Sequence, residues 1–205
     1  MKNRLLKTFT SLVLTVLMVL SIMPAFAITI GAEGGTYKLV TDASTLAVGD
    51  KVIIVATGSD VAMSTTQKTN NRGQVSITKN IDNTITIGTD VQVFTLEAGT
   101  ETNTFAFNTG SGYIYADSSS KNYLKTQTTK DANGSWKITI ASNGVATIHA
   151  QGSNTRNLLK YNSTSSLFSC YGSGQQDVSI YKLKENTGGS VTPVCEHENK
   201  EEEFT

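Results

Sequence analysis

The chain has 205 residues, 17 basic and 17 acidic side chains, 17 glycines, 2 prolines and 38% hydrophobic residues. This even balance lacks the concentrated positive field that nucleic-acid binders use, so no nucleic-acid partner is expected. The abundance of Thr, Ser, Asn, Val and Ile favours β-structure punctuated by glycine turns.

Residues 1–27 read as a secretory signal peptide. Lys2, Arg4 and Lys7 form a basic head, Leu12 to Met23 an apolar run, and Ala25-Phe26-Ala27 a small-x-small cleavage site. The apolar run falls short of the roughly 20 residues needed to span a bilayer, and no later segment reaches that length. Cleavage would start the mature chain at Ile28 and send it outside the cell or to the cell surface, with no membrane contact afterwards. Loss of the three basic residues leaves 14 basic against 17 acidic side chains, a net charge of −3. Residues 28–36 form a short N-terminal linker, 37–184 one domain, and 185–205 a disordered acidic tail that reads as a truncated linker. A domain of this size buries roughly 70% of its unfolded surface without needing a cluster of disulfides. The two cysteines, Cys170 and Cys195, could form a disulfide in an oxidising compartment. Two unpaired thiols, or partners beyond this chain, are the alternative.

Within the domain, short segments alternate between apolar and polar residues or run through β-branched ones, separated by Gly, Asn, Asp and Ser. The predicted strands are Tyr37 to Val40, Lys51 to Ala56, Val61 to Thr65, Gln74 to Lys79, Gln92 to Leu96, Thr104 to Asn108 and Tyr113 to Asp117. They continue with Asn122 to Gln127, Trp136 to Ile140, Val145 to Ala150, Asn157 to Asn162, Ser166 to Tyr171 and Val178 to Leu183.

Two markers recur along this series, and self-similarity at a fixed period signals a repeat architecture. Strand starts with a second apolar residue two positions on occur at Phe94 and Leu96, Trp136 and Ile138, and Val178 and Ile180, spaced by 42 and 42. Gly-Ser turns occur at 58–59, 110–111 and 152–153, spaced by 52 and 42. The ten residues Asn80 to Thr89 have no counterpart elsewhere, and removing them makes both intervals 42. Three four-strand units of this length predict a β-trefoil, whose barrel closure removes exposed sheet edges. A two-sheet β-sandwich is the alternative, although it gives no reason for threefold spacing. Residues 37–39 and 181–183, both Tyr-Lys-Leu, compete for one place in the twelve-strand plan. Either they pair at the closure or one lies outside the barrel.

Gln92-Val93-Phe94, Gly134-Ser135-Trp136 and Gln176-Asp177-Val178 each keep part of one motif. On these residues the domain resembles the ricin-type β-trefoil lectin family, whose units end in Gln-x-Trp. The resemblance implies one shallow sugar pocket per unit, built from an Asp after an early strand and an aromatic ring. The second unit matches with Asp117 after Tyr113-Ile114-Tyr115-Ala116, with Asn122 and Tyr123 nearby. The third, at Leu158 to Asn162, lacks the Asp, so one working site is expected. Cys195-Glu196-His197 resembles the start of Cys/His-bearing spacers of secreted multidomain bacterial proteins.

Tyrosines present a flat apolar face and a polar tip, suited to sugars. Tyr113 and Tyr115 share one side of their strand, and Tyr161 and Tyr171 lie in the equivalent region of the third unit. Turn amides and guanidinium groups at Asn71, Arg72, Asn122, Arg156 and Asn157 add paired donors for vicinal hydroxyls or anions. The dispersed Asp residues are expected to brace turns, and Phe94, Phe105, Phe107, Trp136 and Phe168 to fill the barrel. His149 is the sole histidine of the domain and lies in a strand, no Gly-x-Ser-x-Gly elbow exists, and no metal site or cofactor is expected. These features point to a secreted, monomeric, non-catalytic module. Its expected partner is an extracellular glycan or polysaccharide, in the service of an extracellular enzyme or surface protein. A structural or protein-binding spacer, and then an extracellular hydrolase, are the alternatives.

Overall fold

The computed structural model describes residues 35–184. The expected signal peptide, most of the expected N-terminal linker and the expected acidic tail with Cys195, and with them the Cys170–Cys195 pairing, lie outside the described residues. Fourteen strands form among the described residues. They are β1 (Thr36–Leu39), β2 (Lys51–Ala56), β3 (Val61–Gln67), β4 (Arg72–Ser76), β5 (Thr84–Thr86), β6 (Phe94–Ala98) and β7 (Phe105–Asn108), then β8 (Tyr113–Ala116), β9 (Leu124–Gln127), β10 (Trp136–Ile140), β11 (Ala146–Ala150), β12 (Leu158–Asn162), β13 (Leu167–Tyr171) and β14 (Val178–Leu183).

Six of these strands close a ring in the order β2, β6, β7, β10, β11, β14 and back to β2, every neighbour antiparallel. Each unit contributes its first and fourth strands to the ring. Its second and third form a hairpin: β3 with β4, β8 with β9, and β12 with β13. The ring ladders that join successive units are long, as in Trp136–Ile140 against Ala146–Ala150, whereas the ring pairs within a unit are brief, as at Trp136 with Phe105. Around the ring, the ladders between units are therefore longer than those between the two ring strands of one unit. A closed ring excludes the two-sheet sandwich.

The 42-residue marker is the inward face of the ring. Phe94, Trp136 and Val178 open β6, β10 and β14, and all three are fully buried in one cluster with Val52, Ile54, Phe107, Ile148 and Ile180. Phe107 meets Phe94 at 5.4 Å and Trp136 at 6.3 Å between ring centroids, both edge to face. The Trp136 indole N–H donates to the Ile114 carbonyl at 3.1 Å, so its one polar atom is satisfied. Each such side chain contributes roughly 1.5–3 kcal/mol through burial.

The second marker, the Gly-Ser turn, is explained by the first. Gln176, ahead of β14, accepts a hydrogen bond from Ser59 Oγ at 3.0 Å and packs on Gly58. Gln92, ahead of β6, donates to the Thr109 carbonyl beside Gly110. Ahead of β10 the residue is Gly134, and Asn133 takes over by accepting from the Asn154 N–H at 3.3 Å. A Cβ on Gly152 would lie 2.7 Å from the Asn133 backbone nitrogen, so a side chain there would displace this contact. Each unit thus clasps the first turn of the next, and the third clasps the first.

The surplus strand question resolves outside the ring. β1 pairs with the second half of β14, Tyr37 opposite Leu183 and Leu39 opposite Tyr181, and on its other edge with β5. β5 lies within the ten-residue insertion and was not predicted as a strand. This flap covers the outer face of β2, burying Ile53 and Val55 in a second cluster with Tyr37, Ile85, Ile87, Val91 and Tyr181. β2 is consequently apolar on both faces, which is why it reads Val-Ile-Ile-Val-Ala without alternation.

Candidate functional site

The second unit brings most of its predicted site residues together. β8 alternates so that Ile114 and Ala116 enter the core, leaving Tyr113 and Tyr115 half-buried on the other side. The Tyr115 hydroxyl donates to Asp117 Oδ1 at 2.7 Å, and Lys125 Nζ on the facing strand β9 reaches Asp117 Oδ2 at 2.7 Å. The same ammonium stands 5.0 Å from the centre of the Tyr123 ring. Burial raises the Asp117 carboxyl, but the Lys125 and Tyr115 hydrogen bonds and the Lys125 charge outweigh it and hold the group below the usual carboxylate range. Burial first, and then the bond and charge of Asp117 and the charge of Asp131, push the Tyr115 phenol up to about 12. The carboxylate is thus ionised and aimed, with a lone pair left on each oxygen.

Tyr113 belongs to a neighbouring group. Its hydroxyl donates to Glu97 Oε2 at 3.0 Å, Lys130 pairs with the same oxygen at 3.2 Å, and Asn108 Nδ2 donates to Oε1 at 2.6 Å. Sequence reasoning missed both lysines and Glu97, because Lys125 and Glu97 sit on other strands and Lys130 in the loop after β9, and they converge only through the β8–β9 and β6–β7 pairings.

The turn of the third unit that carries Arg156 and Asn157 reaches the loop after Asp117. Asn154 Nδ2 donates to the Ala116 carbonyl at 2.8 Å, and Thr155 Oγ1 to the Ser119 carbonyl at 3.0 Å. Asn71 and Asn122 also meet, through Asn71 Nδ2 and the Asn122 carbonyl at 2.8 Å. Asn122 thus contributes its backbone carbonyl, which accepts from Asn71 Nδ2 and from Ser169 Oγ at 2.6 Å.

Three expected surface residues, Tyr161, Arg72 and Tyr171, are corrected. Tyr161 is 3% exposed, its ring 4.9 Å from Phe168 and its hydroxyl bonded to Gln74. It points inward because β12 alternates with Leu159 and Tyr161 facing the core. Arg72 is also 3% exposed rather than on a solvated turn. Its guanidinium donates to Gln92 and, at 3.4 Å each, to Gln67 Oε1, Thr126 Oγ1 and the Ser64 carbonyl. Burial pulls its pKa down to about 10, so it stays charged at neutral pH while bonded to neutral oxygens. Tyr171 is buried too, accepting from Asn162 Nδ2 at 3.0 Å. Cys170 lies in the barrel core, where burial pushes its thiol up. Asp42 and Asp131 cap short 3-10 turns, as expected of turn aspartates. His149 is half-buried on β11 between Lys137 and Leu158.

No protein-family model matches the chain, and no curated protein sequence does. Solved structures do match. The BEL β-trefoil, in an apo crystal form, is 13% identical and superposes with a TM-score of 0.50 over 70% of this chain and 100% of its own. The chain folds as a β-trefoil. A designed threefold-symmetric trefoil, ThreeFoil, is 13% identical over 65% of this chain and 99% of its own, with a TM-score of 0.48. A lectin of Polyporus squamosus, solved bound to a human-type influenza-binding epitope, is 10% identical over 66% of this chain and 50% of its own, with a TM-score of 0.47. Identities this low speak to the trefoil fold alone. The ricin-type resemblance read from the sequence therefore holds at the level of architecture, with the Gln residues of its motif acting as clasps between units of the trefoil.

Proposed function

We propose that this trefoil is a secreted, monomeric, non-catalytic module that binds carbohydrate through its second unit, as an accessory to an extracellular enzyme or a surface protein. The observation that carries the reading is the Tyr115–Asp117–Lys125 chain of hydrogen bonds beside the Tyr123 ring. An ionised carboxylate with spare lone pairs accepts from two vicinal hydroxyls. The lysine supplies further donors, and a half-buried ring supplies an apolar face for the sugar. Export rests on the sequence of residues 1–27. Binding is proposed rather than catalysis because the two carboxylates beside these tyrosines, Asp117 and Glu97, are each paired with a lysine, Lys125 and Lys130.

A glycan array probed with the domain, followed by calorimetric titration of the best binder, tests this. The expected result is millimolar or tighter binding that falls at least tenfold in Asp117→Ala and in Tyr123→Ala, with no sugar hydrolysed during the titration. Absence of binding at millimolar sugar, or binding untouched by both changes, would overturn it. The alternative of a protein-binding spacer draws on a different place, the cleft beside the flap.

A further inference from the structure

The insertion of the first unit leaves two strand edges facing each other across a cleft of about 310 Å³, lined by Val75, Ser76, Ile77 and Thr78 on one wall and Thr86 and Gly88 on the other. Asp90 and the buried Val91 complete it, and Asp90 is held in place by its carbonyl, which accepts from the Thr65 N–H at 2.9 Å. None of these residues belongs to the Tyr115–Asp117 site.

Register shows which way the main chain points on each wall. Leu39 N–H bonds to the Asn83 carbonyl and Ile87 N–H to the Gly35 carbonyl, so in the β1–β5 pair the odd-numbered residues exchange bonds. Thr86 faces Thr36 in a pair without hydrogen bonds. Its N–H and C=O therefore point away from β1, toward the cleft it lines. On the opposite wall Ile77 N–H bonds to the Asp60 carbonyl, and Ser76 faces Val61. By the same alternation the N–H and C=O of Ser76 point away from β3. Beyond Arg72 and Gly73, β4 has no strand on that side among the described residues. Two bare edges thus flank one slot, with aliphatic side chains from Val75, Ile77 and Val91 between them. Asp90 is exposed and has no ion-pair partner among the described residues, so the slot carries one uncompensated negative charge.

From this geometry we infer that the cleft takes an extended peptide segment of a partner protein by strand addition, with a lysine or arginine of that segment against Asp90. Main-chain bonds to Thr86 and Ser76 supply the affinity, alternate side chains fill the Val75–Ile77–Val91 floor, and the charge orients the segment. The inference does not rest on sugar binding, and either can fail without the other.

The probe is a library of blocked pentapeptides of alternating Thr and Val or Ile, carrying Lys, Arg or Glu at one end, titrated into the isotope-labelled protein. The expected result is saturable shifts of the Ser76, Thr78 and Thr86 amides, slowed amide exchange at Thr86 and Ser76, and at least fivefold preference for the basic peptides. That preference disappears in Asp90→Asn, and binding is lost in Thr86→Pro, which removes an outward N–H that the β1 ladder does not use, while Thr86→Ala binds normally. Should Thr86→Pro misfold, the charge preference and the amide protection of the unaltered protein decide the matter. Shifts at these amides with oligosaccharides in place of peptides, no shifts with any peptide, or binding indifferent to both Asp90→Asn and Thr86→Pro would overturn the inference.

Discussion

The first and second units follow one barrel plan and diverge in what they place outside it. The first has gained ten residues, a pairing with the N-terminal strand and a second apolar cluster over β2. The second has kept a bare hairpin, whose outer side holds Tyr115, Asp117 and Lys125. The barrel tolerates both because only the inward alternate residues of the six ring strands are shared. The outward residues are free to acquire an added layer in one unit and an aimed carboxylate in another.

The largest effect is expected where the units do not differ. Trp136→Ala removes an indole packed on Phe107 and bonded to Ile114, and should cost about 3–5 kcal/mol of global stability in denaturant unfolding. Arg72→Ala tests a junction between the two units. It removes the Arg72 donor from Gln92 Oε1 and the Ser64 carbonyl and the bond to Thr126 of the second unit, and should cost about 2–3 kcal/mol. Ile85→Ala should separate the flap from the barrel. A loss of about 2 kcal/mol is expected in the second cluster, read as faster amide exchange in β1 and β5 with the amides of β7, β10 and β11 unchanged.

The smallest change is confined to the second unit. Tyr115→Phe deletes one donor to Asp117 and should cost about 1 kcal/mol. Because the Asp117 pKa is depressed in the folded state, its contribution to stability is present above the unfolded value of about 3.9 and fades as pH falls through the lower folded value. In Tyr115→Phe the folded value should move up toward about 3.9, so that the acid-induced loss is smaller and is complete at a higher pH than in the unaltered protein. A carboxyl titration followed by carbon NMR gives the direction.

The repeat was legible because its markers are structural necessities. An apolar residue must begin each inward strand, and a glycine must admit the clasp from the unit before. Three strands, at 51–56, 136–140 and 178–183, have the predicted ends. β5 was illegible because three residues, Thr-Ile-Thr, carry too little pattern, and become a strand only when Tyr37 offers an edge. At the site, Tyr115 and Asp117 were found as near neighbours in sequence. Lys125 and Glu97 were missed because contact across strands depends on register, which local pattern does not encode. Tyr161 and Arg72 were misplaced for a related reason. Asn-Asn-Arg-Gly looks like a solvated turn until β13 and β9 close over it.

The ring closes through β14, which bonds to β2, β11 and β1 at once. A nascent chain in which residues 178–183 have not yet been synthesised has no closed barrel, and leaves β2 and β11 with open flanks. Folding is thereby tied to β14, and a chain in which β14 has not yet paired is exposed to association through those flanks.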